Sequence, residues 1–400
     1  MVEPCNFLQD LKKAYEKREN QTCADCFSTS VRRASVTFGV FLCTDCATAH
    51  EKLGGDLRSI THESLRNEIW NEASVERFLR HGGNCSVNEN LEAELPKFYR
   101  RPWPGSSCPM FLREAFSRSK YVHEEFSKGA VKRGAQCQFS CTSKSGILLK
   151  KLRDSEAFCE RFFELSVECN YLRYFIKPDD PDCKQSMDLE KLNMTFISDR
   201  YRGASHFDVP PHTALIEFVR DGSTRHIFVR SEDSKTIINW YNAIRLGKYN
   251  RTCLGVFGMS MTLSAPDIAK NLTRDIDLAG WLSKTGPRKS DAWRKRWCML
   301  LQRHMLYTDK PLSAFAKGEL FIKSFEDGFS VKSGTPEGWK KHSGYAFTIY
   351  TETRPFVFVC ESSEERDLWI SQLDKIIRVP VTLEESKRAA SIAISYLSTP

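Results

Sequence analysis

At 400 residues the chain exceeds one ordinary core, and it is expected to divide into domains of about 100–200 residues or fewer. Its 59 Lys+Arg against 51 Asp+Glu leave a net charge of +8, a modest excess that matters only where it is concentrated on one face. No run approaches the roughly 20 apolar residues that span a bilayer, and the N-terminal MVEPCNFLQDLKKAYEKREN carries charges where a secretion signal needs an apolar centre. Membrane contact is therefore expected from the surface, and the 15 cysteines read as thiols of a reducing compartment rather than a disulfide framework.

The first segment, 1–128, reads as mostly helical. Leu8, Leu11 and Tyr15 repeat at helical spacing, and Val75, Phe78 and Leu79 do so again before Gly82-Gly83, a helix stop. Beyond the Pro- and Gly-rich stretch 101–107, Pro109 opens a further helix carrying Phe111, Leu112, Ala115 and Phe116, which links this segment to the next. From residue 142 the texture changes to short β-rich runs such as 171–176 and 213–219, ended by one helix expected over 234–246 with Ile237, Trp240, Tyr241 and Ile244 on one face. The same order recurs from Gly280 through Cys360 to a helix over 364–377, where Leu368, Trp369, Leu373 and Ile376 form the apolar face. Duplication of one domain is the economical explanation. The expected boundaries are thus 1–128, 142–250 and 275–380, with a tail, 381–400, in which Leu383, Ala390, Ile394 and Leu397 suggest a terminal helix.

Within the first segment, Cys23 and Cys26 form one C-x2-C pair, and Cys43 and Cys46 form another after a sixteen-residue gap. Two such knuckles supply the four soft ligands of tetrahedral Zn2+. With all four positions taken by protein the site is closed, so the metal is expected to hold the fold rather than to do chemistry. The other eleven cysteines lack paired spacing and read as small apolar residues.

Around these knuckles, the stretch 34–42, Ala47-Thr48-Ala49-His50 and the later His81-Gly82-Gly83-Asn84 resemble the zinc domain of GTPase-activating proteins for Arf GTPases. The resemblance implies that the fifth residue after the last cysteine is an arginine finger; here that position is Glu51. A finger neutralises charge developing on the transferred phosphoryl group and supplies about 10³–10⁵ in rate. A carboxylate repels that charge, and the adjacent Lys52 offers a point charge rather than a guanidinium fork. The family's tryptophan before the Ala-Ser stretch is also replaced, by Arg33. No residue is therefore assigned a catalytic role. Two outcomes stay open: a non-catalytic adaptor, or an active GTPase activator that uses another basic residue such as Arg32, Arg33 or Arg58.

The run from Trp281 to Trp297 holds six basic residues and one acid, a local charge of +5. On a hairpin Arg294 and Arg296 share a face, and Lys284 joins them from the preceding strand, an arrangement suited to clamping phosphates. With Trp369 in the closing helix, this pattern resembles a pleckstrin-homology (PH) domain of the inositol-phosphate-binding type. The resemblance implies headgroup contacts from Lys284, Arg294, Arg296 and Tyr307, with Lys295 as a further candidate. In the first repeat Cys159 stands where the first member of the basic pair would fall, which leaves Lys150, Lys151, Arg161 and Tyr174 as a weaker candidate site or a purely structural repeat.

Nearly the whole chain resembles the dual-PH Arf GTPase-activating (ArfGAP) proteins, the α-centaurins. The expected fold is multidomain α+β: a mostly helical zinc domain, then two PH domains, each a seven-stranded β-sandwich or barrel capped by a C-terminal helix. The resemblance implies one structural Zn2+, an Arf-family GTPase as partner, and a cytoplasmic protein recruited peripherally to the plasma membrane by PtdIns(3,4,5)P3-like lipids. Nucleic-acid binding is not expected, because the zinc segment offers no basic recognition helix.

Overall fold

The computed structural model describes residues 7–53, 70–130, 142–198, 209–220, 223–257, 264–340, 342–383, 385–386 and 389–390. Arg58, Cys5, Cys137, Cys141 and the tail positions Ile394 and Leu397 lie outside them. The chain forms two compact units: Met1–Lys144 with Leu165–Cys169 and Ser231–Leu272, and Ser145–Glu164 with Asn170–Arg230 and Thr273–Pro400.

In the first unit, α1 (Phe7–Glu16) precedes a hairpin of β1 (Val31–Ser35) and β2 (Val40–Cys43), which runs directly into α2 (Thr44–Glu51). Next come α3 (Glu72–Arg80), α4 (Gly83–Leu91) and α5 (Met110–Ser117), the last capped by Pro109 as its sequence requires. Leu11, Val40, Phe41, Trp70 and Phe78 share one core, with the Phe41 and Phe78 rings 4.8 Å apart. Gly82-Gly83 both ends one helix and begins the next. Gly82 and Gly83 have φ of 80° and 85°, and a Cβ on Gly83 would lie 2.9 Å from the Asn20 amide. That close approach lets Asn20 Oδ1 accept from Asn84 N at 2.8 Å, while Asn84 Oδ1 accepts from Phe41 N at 2.7 Å, tying α4 to the hairpin.

The helix expected over 234–246 runs on as α6 (Ser234–Phe257). Its apolar face continues through Leu246, Tyr249 and Cys253, which pack with Phe98, Ile268 and Leu272, so the helix does not end where its first apolar stripe does. Arg245 Nε donates to Phe98 O at 2.7 Å on the same side. A short α7 (Ala265–Asn271) follows.

In the second unit, two seven-stranded sheets repeat one topology. The first contains β3 (Ser143–Lys151), β4 (Phe158–Ser166), β5 (Tyr171–Phe175), β6 (Gln185–Asp188), β7 (Asn193–Phe196), β8 (Thr213–Arg220) and β9 (Ser223–Arg230). The second contains β10 (Leu278–Lys284), β11 (Arg294–Leu301), β12 (His304–Thr308), β13 (Gly318–Phe321), β14 (Ser330–Ser333), β15 (Tyr345–Tyr350) and β16 (Pro355–Cys360), closed by α8 (Ser363–Ile377). Their orders, β6-β5-β4-β3-β9-β8-β7 and β13-β12-β11-β10-β16-β15-β14, match strand for strand. Trp369 and Leu373 of α8 are fully buried against Phe347, Phe358 and Cys298. The tryptophan is core, as its place on an apolar helix face implies.

The two sheets also share a core of Leu215 and Phe228 with Trp297, Met299, Leu306 and Leu312. Beside it lies a buried ionic cluster. Glu217 Oε1 accepts from Arg274 Nη2 at 2.7 Å, and Glu319 Oε2 lies 2.6 Å from His304 Nε2 and accepts from Thr224 Oγ1 at 2.7 Å. Burial alone would raise the Glu217 carboxyl, but Arg274 and His304 hold it well below the usual carboxylate range.

Candidate zinc centre and anion pockets

The four sulfurs of Cys23, Cys26, Cys43 and Cys46 lie within 4.8 Å of one another in a buried cluster. Zn–S bonds of about 2.3 Å place tetrahedral ligands roughly 3.8 Å apart, so the donor set fits one structural zinc ion. Local geometry delivers each thiol. Phe27, at φ 60°, turns the first knuckle back so that Cys23 N donates to Ser28 O at 2.8 Å, while Cys43 ends β2 and Cys46 sits in the first turn of α2. Four thiolates around Zn2+ carry a net charge of −2, which burial makes costly without a counter-charge. Arg113, 1% exposed, supplies it: Nη1 donates to Cys46 Sγ at 3.1 Å, and Nη2 to Trp103 O and Gly105 O at 2.8 Å each. Sequence reasoning missed Arg113 because α5 brings it in from 67 residues away.

Beside the knuckles, Asp25 accepts from Lys120 Nζ at 3.0 Å and from Tyr121 Oη at 2.7 Å, and its other oxygen lies 2.8 Å from His50 Nε2. Burial would raise this carboxyl, but Lys120 and His50 hold it well below the usual range. His50 is thus a buried structural residue. Glu51, next to it, is exposed at the C-terminal end of α2, where the helix dipole favours a cation. Of the neighbouring cations, Lys52 Nζ is 2.6 Å from Glu114, and Arg118 donates to the Lys52 and Leu53 carbonyls at 3.3 and 3.4 Å. Arg32 is exposed on β1.

In the second repeat Lys284 and Arg294 are register partners at the open end of β10 and β11. Lys284, Arg294, Arg296, Tyr307 and Lys317 line one cleft of 440 Å³. Lys284 Nζ lies 4.5 Å over the Tyr307 ring and donates to Thr285 O at 2.9 Å. Tyr307 lies across the backbone at Gly318, where a Cβ would come within 2.1 Å of its hydroxyl and push the ring aside. Arg296 and Lys317 both pair with Asp309, at 3.2 and 3.0 Å. Burial, then Arg354 and Arg296, bring the Lys284 ammonium down from the ordinary 10.5 to about 8. Lys295 sits elsewhere: its Nζ pairs with Glu361 at 2.8 Å and lies 5.6 Å over Trp281, off the lining of the cleft.

The first repeat reproduces this skeleton. Lys150 pairs with Val229 as Lys284 pairs with Phe358, and its Nζ lies 5.2 Å over the Tyr174 ring and donates to the next carbonyl, Lys151 O, at 3.1 Å. Lys184 N donates to Tyr174 O at 2.9 Å and Lys317 N to Tyr307 O at 2.8 Å, so these two lysines also correspond. A cleft of 370 Å³ here is lined by Lys150, Arg153, Tyr174, Lys184, Arg220 and Arg225, among others. Lys151 touches the cleft, but its buried amine donates to Ser155 O at 2.7 Å and pairs with Glu156 at 3.3 Å. Arg161 Nη1 donates to Glu160 O at 2.6 Å and is not among the lining residues. The sequence reading missed Lys184 and Lys317; the available signal was a lysine preceding the fourth strand of each repeat.

Residues 8–130 match the family model described as a putative GTPase-activating protein for Arf, and residues 276–378 match the PH-domain model. The chain is 32% identical to the human Arf-GAP with dual PH domain-containing protein 2, over 91% of this chain and 90% of that protein. This chain belongs to the dual-PH Arf-GAP family. The rat protein of the same name is 31% identical over 91% of each chain, and the ADP-ribosylation factor GTPase-activating protein AGD12 of Arabidopsis thaliana is 33% identical over 34% of this chain and 40% of its own. For this dual-PH Arf-GAP, the two PH sheets are assigned by strand order as well as by the match to the second. Among the described residues no helix is long and apolar enough to cross a membrane; its PH domains point to peripheral recruitment.

Two outcomes follow from this geometry. Arg113→Ala leaves the thiolate cluster without its counter-charge and is expected to weaken zinc retention about 10–100-fold in competition with a chromogenic chelator; unchanged retention would contradict that role. Lys284 titrates in a usable range. Because its folded value, about 8, lies below the ordinary 10.5, its charged form costs folded-state stability below pH 8, and that cost is relieved as pH rises through the window. Phosphate binding needs the ammonium, so affinity for an anionic headgroup should fall as pH rises through 8, and Lys284→Arg should flatten the profile.

Proposed function

We propose that this protein is a phosphoinositide-recruited regulator of Arf GTPases that binds 3-phosphorylated inositol headgroups through its second PH domain at the cytoplasmic face of the plasma membrane. There it acts as an adaptor whose zinc domain engages a partner without accelerating GTP hydrolysis. One observation carries the lipid half: Lys284, Arg294, Arg296, Tyr307 and Lys317 converge on one open cleft, where burial, then Arg354 and Arg296, depress the lysine to about 8. Ring phosphates supply those anions, with arginine binding as a fork and lysine as a point charge. Nearby anionic lipid adds about 1 kcal/mol per basic residue.

The adaptor half rests on Glu51. A carboxylate at the finger position opposes the charge that a finger has to neutralise, and Lys52 is tied to Glu114. The first repeat is assigned a second headgroup site. Its support is the matching Lys150–Tyr174 and Lys184 geometry, with Arg220 and Arg225 added around the cleft.

Sedimentation with vesicles containing PtdIns(3,4,5)P3 tests the recruitment. Lys284→Ala combined with Arg296→Ala should weaken binding at least about tenfold, the scale of losing charge-assisted hydrogen bonds. Lys295→Ala, on the Glu361 side, should cost no more than the non-specific increment. Equal losses from both would show that binding is diffuse attraction to the surface rather than headgroup clamping.

A further inference from the structure

The segment between β12 and β13 serves both clefts. At its start Asp309 pairs with Arg296 and Lys317, two cations of the second-repeat cleft. Next to it Lys310 Nζ reaches Glu156 at 2.6 Å, and Glu156 pairs at 3.3 Å with Lys151, whose amine holds Ser155 O in the β3–β4 loop of the first repeat. Leu312, 3% exposed, anchors the segment in the core shared by the two sheets.

The segment then adds itself to β9. His226 N donates to Ala314 O at 2.9 Å, Ala316 N to Thr224 O at 3.4 Å, and Arg225 and Phe315 form an antiparallel bridge. Phe315 thereby becomes a wall of the first-repeat cleft. Arg153 and Arg225 stack on its ring, with guanidinium carbons 4.4 and 4.3 Å from the centroid. Two residues later Lys317 faces the other cleft. Nine consecutive residues thus carry a wall of one anion site and a cation of the other.

We propose that the segment Asp309–Lys317 couples the two clefts, so that an inositol polyphosphate headgroup bound in one raises the affinity of the other for a second. This rests on reading the first-repeat cleft as a headgroup site. A phosphate entering the second-repeat cleft competes with Asp309 for Arg296 and Lys317, and so resets the start of the segment. A headgroup in the first-repeat cleft meets the two arginines that stack on Phe315, and so fixes its far half. Both ligands favour the same position of this one segment, so the second to arrive finds it already set, which makes the coupling positive. By reciprocity the effect has the same size in either direction. The membrane that fits this device presents several such headgroups within reach of one molecule.

Calorimetric titration of the full chain with inositol 1,3,4,5-tetrakisphosphate tests the coupling. The wild type should take up two equivalents, the second about fivefold or more tighter than the first after statistical correction, the lower end of ordinary coupling. Lys310→Gln and Glu156→Gln each cut the exposed link without removing a cation from either cleft; each should keep two equivalents while the ratio falls to about one. Combining them should add no further loss. Two equivalents with no enhancement in the wild type, or an enhancement untouched by both variants, would overturn the coupling and leave the two-site reading standing. A single equivalent would overturn the two-site reading, and the coupling with it.

Discussion

Holding more cations than anions around one cleft is the constraint on which the functional face of the second repeat depends. The charges come from chain segments far apart in sequence, Lys284 on β10, Arg294 and Arg296 on β11 and Lys317 before β13. Only a folded sheet brings them together, and they repel one another once there. The structure offsets part of that repulsion with Asp309 and part with the Tyr307 ring under Lys284, while burial, then Arg354 and Arg296, lower the lysine. On the function proposed above, the repulsion left among these cations is what the phosphates of a bound ring would relieve. A neutral surface would bind such a ring more weakly, and a fully paired one would exchange one anion for another at no gain.

The zinc module answers the opposite problem. There the concentrated charge is negative, four thiolates around one ion, and Arg113 is buried against them to balance it. Asp25, His50, Lys120 and Tyr121 form a second closed network beside the knuckles. Both networks hold the end of α2 in place, so Glu51 is displayed from a rigid helix terminus rather than from a loose loop. At the position the family resemblance gives to an arginine finger, the module presents a carboxylate. On the adaptor function proposed above, that carboxylate would meet a GTPase surface without stabilising a phosphoryl transition state.

Much of this was legible in the sequence, for identifiable reasons. Knuckle spacing announces a metal because ligand geometry fixes it locally, and the two strand–helix series announce a duplication because period and order survive divergence. Lys284, Arg294 and Arg296 were readable because a hairpin brings near neighbours onto one face. Arg113 and Asp309 were not, since each acts through a tertiary approach that no local pattern encodes; Lys184 and Lys317 left only the signal of a lysine preceding the fourth strand of each repeat. Lys151 lines the first-repeat cleft beside Lys150, and its amine is also held by Ser155 and Glu156, contacts that its place in the sequence does not announce. The longer α6 was missed because its second apolar stretch, through Leu246, Tyr249 and Cys253, finds its partners in Phe98, Ile268 and Leu272.

At the centre of the proposed function, this Arf-GAP fold keeps its membrane address and lacks a catalytic finger. Single-turnover hydrolysis of GTP on an Arf GTPase, measured on PtdIns(3,4,5)P3-containing vesicles with the wild type and with Glu51→Arg, addresses it directly. The account predicts little acceleration by the wild type and a gain of about 10³ or more in the variant, the lower range of what an arginine finger supplies. Wild-type acceleration of roughly a hundredfold or more would contradict it and place the catalytic charge on another residue of this module.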